Sequence, residues 1–304
     1  MQDLISALPG AVSLGLIWGI MAIGVYITYK ILAISDLTVD GSVCTGAAVC
    51  TMLITSGVDP WVAMLCAVVA GALCGLVTGL LHTVLGIPAI LAGILTQLAL
   101  WSVNLKIMGQ ANRPLSARKF NVILTQMDTT EAIVMLCIIA VAIIAILYWF
   151  FGTSLGCSIR ATGCNINMSR AQGINTELNK VLGLVISNAF VALSGALLAQ
   201  YQGFADINMG RGAIVIGLAA IVIGEVLFSK IARNFAVRLC GVLVGGIIYY
   251  VVYQVIVFLG LDTDLLKMLS AVVVALFLGV PNLKNKLMAK IHIKKQAKEV
   301  EENA

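Results

Sequence analysis

The chain has 304 residues, 61% of them hydrophobic and 11% charged, with a formal net charge of +5 and a mean hydropathy of +1.04. A soluble domain carries roughly 25% charged and 45–50% apolar residues, so one water-facing fold cannot bury this much apolar surface. The composition implies a polytopic membrane protein and leaves no room for a large soluble catalytic or nucleotide-binding unit.

A spanning helix needs about 20 apolar residues. Residues 1–10, MQDLISALPG, lack a basic start and are not expected to be a cleaved leader. Residues 11–32 form the first expected span. The segment 41–56 is Gly-rich and too brief for a full crossing. Spans 60–85 and 88–108 follow, divided by the Gly86-Ile87-Pro88 break. The span 131–151 is the most uniformly aliphatic and is expected to face lipid. Residues 181–202 form a further span, 212–228 a second short Gly-rich segment, and 235–259 and 265–280 complete the set. The expected fold is all-α, with about 8–10 membrane segments in a transmembrane domain over residues 1–281. The tail 282–304, first basic and then acidic, is expected to be cytoplasmic and solvated.

Lysine and arginine orient such a chain, because basic loops stay in the cytoplasm. With the C-terminus inside, 13 of the 19 basic residues fall inside. The basic stretch RPLSARK at 113–119 is an exception on the outer side. In this orientation residues 11–32 enter from outside and 181–202 from inside. Each is followed by a polar break and a short Gly-rich segment: SDLTVDGSVCTGAAV after the first, ADINMGRGAIVIG after the second. That pattern is the signature of an inverted repeat with two broken helices near the midplane. Such breaks survive at membrane depth only against protein or a watery cavity, so both should face a path.

Several side chains in and around these segments are candidates for function. Asp40, Gly41 and Ser42 open the first short helix. Asp40 reads either as an ordinary N-cap for its own next turn or as path lining near the cytoplasmic side. Asp36 reads as a solvated loop acid. Asn208, Gly210, Arg211 and Gly212 form the outer break; Arg211 either reaches the interface or contacts a docked protein or a bound carboxylate. Glu225 reads as an interfacial acid paired with a nearby base such as Lys230, and His82 as a hydrogen-bonded packing residue. Gly71, Gly75 and Gly79 repeat at four-residue spacing, the pattern of close helix packing within the bundle or between two such bundles. The eight cysteines contain no C-x-x-C pair and read as small residues of a membrane bundle. There is no nucleophile–base–acid set, metal spacing, cofactor motif or phosphate loop, and no basic patch suited to nucleic acid.

The polar stretch 157–180 carries Arg160, Arg170 and Lys180 against one acid, Glu177. Residues 165–172 can form a short amphipathic helix that Gly173 stops. Its apolar residues, Ile166 and Met168, have no obvious core within the chain to join.

These residues carry a resemblance. RATGCN and RAQGIN in this stretch, followed by SGALLAQYQGF, resemble the permeases of the branched-chain amino acid and sugar branch of ABC importers. YKILAISDLTVDGSVCTGAAV at 29–49 is similar to the tryptophan/tyrosine-type subfamily. The resemblance implies a bacterial inner-membrane subunit that forms a dimer of two copies, and no enzyme activity or cofactor in this chain. It implies that ATP is bound by cytosolic ATPase subunits gripping a coupling loop over 157–180, with Arg160, Asn165, Ile166, Met168, Arg170 and Gly173 as the contact. It also implies an extracytoplasmic solute-binding protein and a small polar solute such as an aromatic amino acid. A secondary transporter driven by an ion gradient suits the broken helices equally well. A membrane-embedded enzyme is disfavoured by the missing catalytic set.

Overall fold

The computed structural model describes residues 2–116, 119–228 and 234–258, with residues 272, 275 and 279. The expected last span, 265–280, lies outside the described residues except for those three positions, and the tail 282–304 lies wholly outside them.

The protein is an all-α polytopic membrane bundle. Among the described residues six helices are long and apolar enough to cross a bilayer. They are α1 (Gln2–Tyr26), extended by a π-helical turn over Ile27–Ile31, α3 (Pro60–Thr83), α4 (Ala89–Met108), α5 (Thr129–Gly152), α8 (Thr176–Gln202) and α10 (Phe235–Phe258). Two shorter apolar helices, α2 (Val39–Thr55) and α9 (Ala213–Phe228), match the expected broken segments. Two small helices, α6 (Ser154–Cys164) and α7 (Ile166–Ala171), join α5 to α8. Strands β1 (Asn112–Pro114) and β2 (Phe204–Asp206) pair antiparallel, with Asn112 opposite Asp206.

Lipid tails are as apolar as leucine, so helices in a bilayer associate through close packing and interhelical hydrogen bonds. α8 is the hub of that packing. It runs antiparallel to α1, where the Ser194 hydroxyl donates to the Ile17 carbonyl and the Ser187 hydroxyl to the Gly24 carbonyl, both at 2.7 Å. On another side it meets α3 through the glycine series. Gly71 lies against Asn188 and Ala192, Gly75 against Leu184, and Gly79 against Val181. A methyl group at Gly75 would collide with the Leu184 carbonyl. The small-residue stripe therefore packs helices within one chain. On a third side, α2 seats Gly46 against the Ala192 backbone, and Gly195 of α8 seats against Val43. α10 closes the bundle against α1 and α9, with Gly15 facing Ile247 and Gly224 facing Gly241.

Burial follows from this arrangement. α1 is enclosed by neighbours, and Ile17, Ile20, Met21 and Ile23 are fully buried. A helix surrounded by protein is apolar all round, as this one is. α5 presents Val134, Ile138 and Val141 outward, the lipid-facing position expected of the most aliphatic span.

The bundle has two distinct ends. The β1–β2 ribbon marks one. At the other, Gly163 of α6 packs on the Ile31 backbone, and Lys30 Nζ lies 2.8 Å from Glu225 Oε1. α2 starts inside the bundle and runs toward the ribbon end, where Gln200 Nε2 lies 3.4 Å from Cys50 Sγ. α9 starts beside the first turn of α2 and runs the other way, to Glu225. The pairs α1–α2 and α8–α9 thus have opposite sense, as an inverted repeat requires. Glu225 has a basic partner, as the sequence suggests, and among the described residues it is Lys30; Lys230 lies outside the described residues. His82 Nδ1 lies 2.8 Å from the Ile87 carbonyl oxygen, across the turn between α3 and α4.

Candidate functional site

The first break is organised by a carboxylate. Asp36 Oδ1 accepts the Thr38 N–H at 2.9 Å, a local turn that opens α2. Its second oxygen, Oδ2, accepts from Asn188 Nδ2 at 2.7 Å. Asn188 Oδ1 in turn accepts from the Ser42 hydroxyl at 2.6 Å. Thr38 Oγ1 lies 2.7 Å from Thr78 Oγ1, which lies 3.0 Å from Thr96 Oγ1. All six side chains are buried. The network ties the start of α2 to α8, α3 and α4. Asp36 is only 3% exposed, which corrects its reading as a solvated loop acid. Its neighbours in sequence, Ser35 and Leu37, gave no hint of a partner 152 positions away.

The second break follows α8. Asp206 Oδ1 accepts the Asn208 N–H at 2.7 Å, turning the chain after β2. Gly210 then lies flat against the Asp40 carbonyl, so close that any side chain would collide with it. Gly212 has φ +86, a left-handed backbone that glycine adopts without strain. Its N–H points at Asp40 Oδ2, 2.9 Å away, and the Ile214 N–H at Asp40 Oδ1, 3.0 Å away.

This geometry revises two expectations. Asp40 is not a cap for its own helix: it sits in the first turn of α2 and caps α9, 172 residues further on. Nor do the two breaks lie toward opposite faces. They meet, and one carboxylate sits between two helix N-termini, where the partial positive ends of both dipoles favour a negative charge.

Beside this junction is a cleft of about 220 Å³, open on one flank. α2 contributes Asp40, Gly41 and Cys44, and the second break contributes Ile207 and Arg211. α4 contributes Gln97, Leu98, Trp101 and Asn104. Of the six residues expected at the path, the structure brings Asp40, Gly41 and Arg211 to the cleft. Ser42 points instead into the buried network, Asn208 into its turn, and Gly212 into the α9 cap. The α4 wall was missed by sequence reasoning. Its signal was legible, since Gln97, Trp101 and Asn104 recur at the four- and three-residue steps of one helix face.

The other end of the bundle carries the polar stretch 157–180. Residues 157–164 belong to α6 and 176–180 to α8, with α7 between them. Asn165 caps α7, its Oδ1 accepting the Met168 N–H at 3.0 Å. Gly173, at φ +77, ends it: its N–H donates to the Arg170 carbonyl, and the Ile174 N–H to the Ser169 carbonyl. Ser169 turns inward and is buried, while Ile166 and Met168 are 38% and 62% exposed. Arg170 Nε donates to Thr176 Oγ1 at 3.0 Å, and Arg170 lies 3.7 Å from Glu177, so it braces its own loop. Arg160 stacks its guanidinium over the Phe235 ring at 5.3 Å. Among the described residues no group of His, Cys, Asp and Glu is arranged to hold a metal ion.

Known proteins resemble the chain along nearly its whole length. Residues 8–280 match the family described as Branched-chain amino acid transport system / permease component. A tyrosine transport system permease protein of Clostridioides difficile is 40% identical over 300 residues, covering 96% of this chain and 99% of that one. An uncharacterised protein of Rickettsia prowazekii is 35% identical over 266 residues, or 87% and 93% of the two chains. The Autoinducer 2 import system permease protein LsrC of Escherichia coli is 30% identical over 182 residues, 58% of this chain and 51% of its own. No solved structure matches. The bundle, the paired broken helices and a match spanning both of them together place this chain in the branched-chain amino acid transport system permease family.

Proposed function

We propose that this chain is the membrane-spanning permease of an ATP-driven importer in a bacterial cytoplasmic membrane, and that its solute is an aromatic amino acid such as tyrosine. The observation that carries the ATP-driven part is α7. It is a short helix, capped at both ends, held between α6 and α8, that offers Ile166 and Met168 to solvent at one end of the bundle. Exposed apolar side chains on a rigid polar loop suit a groove on a partner. That partner is a cytosolic ATPase, which binds the ATP; an extracytoplasmic binding protein delivers the solute at the ribbon end. The full-length likeness to a tyrosine permease supports the solute. The cleft is only partly enclosed by the described residues of this chain, so a closed path needs a second wall, and a second copy of this chain supplies it.

The test is uptake of L-tyrosine into proteoliposomes holding the permease, its ATPase and its binding protein. Uptake is expected to require ATP, to stop with vanadate and to ignore a protonophore. Uptake by the permease alone, driven by a proton or sodium gradient, would establish the ion-coupled alternative.

Orientation has its own test. The α7 end is placed in the cytoplasm. Cys157 and Cys164 are exposed in α6 at that end, whereas Cys66, Cys137 and Cys240 are exposed within spanning helices. An impermeant maleimide is expected to leave intact cells unlabelled and to modify the protein in inside-out vesicles. Labelling of equal extent in intact cells would reverse the orientation.

A further inference from the structure

We infer that the cleft between α2, α4 and the second break binds the zwitterionic head of an α-amino acid, with Asn104 and Asp40 taking the ammonium and Arg211 the carboxylate. The inference rests on the transport reading above and adds the residues that read the solute.

Asn104 supplies the first argument. It is 1% exposed, yet its amide oxygen has no hydrogen-bond partner among the described residues. Its nitrogen lies 3.5 Å from the Gly41 carbonyl oxygen, which fixes which way the amide faces. Buried polar atoms in folded proteins nearly always have a partner. Asn104 lines the cleft and its unmet group is an acceptor, so the missing partner is a donor that arrives with the ligand. An ammonium has three donors and no acceptor.

Charge supplies the second. Asp40 and Arg211 both line the cleft. Among the described residues neither forms an ion pair, with each other or with a third group. Asp40 gives one lone pair on each oxygen to the start of α9, and a carboxylate has about four acceptor sites, so it retains capacity for a cation. The place where a ligand carboxylate would meet the α9 N-terminus is already filled by Asp40 itself. A ligand carboxylate is therefore left to the Arg211 guanidinium, whose planar fork suits it. Two opposite charges held apart in one cleft match a molecule that carries both. A neutral polyol would use Asn104 and Gln97 but would leave both charges unmet.

Size and shape agree. The cleft, about 220 Å³, is smaller than the roughly 300–1,000 Å³ pockets of drug-sized ligands. Trp101 lines the cleft and is the aromatic residue there that could pack against an aromatic side chain.

The experiment measures binding to the assembled permease–ATPase complex in nanodiscs, without the binding protein, whose own selectivity would mask the result. The probes are L-tyrosine, tyramine, which lacks the carboxylate, 3-(4-hydroxyphenyl)propionate, which lacks the ammonium, and D-ribose. Wild-type protein is expected to bind L-tyrosine at least ten-fold more tightly than the other three. Arg211→Gln should erase the advantage over tyramine alone, and Asn104→Leu the advantage over 3-(4-hydroxyphenyl)propionate alone. A merely structural role would not split the analogues in this way. Unchanged discrimination in both variants, with ATP-driven tyrosine uptake intact, overturns the cleft assignment and leaves the transport reading standing. Preference for D-ribose overturns the zwitterion. Absence of ATP-driven uptake in the wild type overturns the transport reading itself.

Discussion

Asp40→Ala is expected to cut solute uptake more than ten-fold and to lower the melting temperature of the purified permease. The carboxylate accepts the Gly212 and Ile214 N–H groups at 2.9 and 3.0 Å. Hydrogen bonds to a charged group contribute about 1.5–3 kcal/mol each. Alanine would leave both part-buried donors without their protein acceptor, and removing a helix cap alone costs about 0.5–2 kcal/mol. The damage is also mechanical, because Asp40 links the start of one broken helix to the start of the other. Asp40→Asn keeps one acceptor oxygen and turns the other into a donor facing an N–H group. It should therefore fall between alanine and wild type in stability. Wild-type melting and uptake in Asp40→Ala would show that the contact between the breaks carries neither packing nor transport.

The reach of sequence reasoning can be traced through these same residues. The two breaks are legible because their signals are local: Gly and polar residues interrupt apolar runs, and short helices follow. The α7 turn is legible for the same reason, since Asn165 and Gly173 sit at the cap positions of a six-residue helix. What each acid does is not local. Asp36 and Asp40 lie four positions apart in similar surroundings, and both look like turn or cap residues. One is buried by Asn188 of α8 and the other is turned toward α9. Only the packing of α8 between α1, α2 and α3 decides this, and a linear pattern does not encode it. The α4 face shows a middle case. Its polar residues keep helical spacing and were visible, but their meaning depends on what stands opposite, and that is the break 103 residues or more further along the chain.

Met168→Asp is expected to strip the ATPase from the permease while leaving membrane insertion and abundance unchanged. Met168 is 62% exposed and makes no contribution to the bundle core, so the folded chain tolerates a charge there. A docked interface does not. An unpaired carboxylate in an apolar groove removes the contact and adds a desolvation cost, and central interface positions commonly cost 2 kcal/mol or more on truncation alone (roughly thirty-fold in affinity). Ile166→Asp should act the same way. Arg170 is the informative contrast. The resemblance implied that Arg170 contacts the partner, and the structure shows it bracing its own loop, to Thr176 and Glu177. The pair with Glu177 is exposed on both sides, and such pairs contribute about 0–1 kcal/mol. Arg170→Gln should therefore leave most of the ATPase bound. Arg170→Glu sets a like charge beside Glu177 and should loosen the turn, lowering solute-stimulated hydrolysis more than it lowers co-purification. The measurement is the amount of ATPase recovered with tagged permease, together with solute-stimulated ATP hydrolysis. If Met168→Asp and Ile166→Asp both retain the ATPase and full stimulation, α7 is not where the force enters this protein.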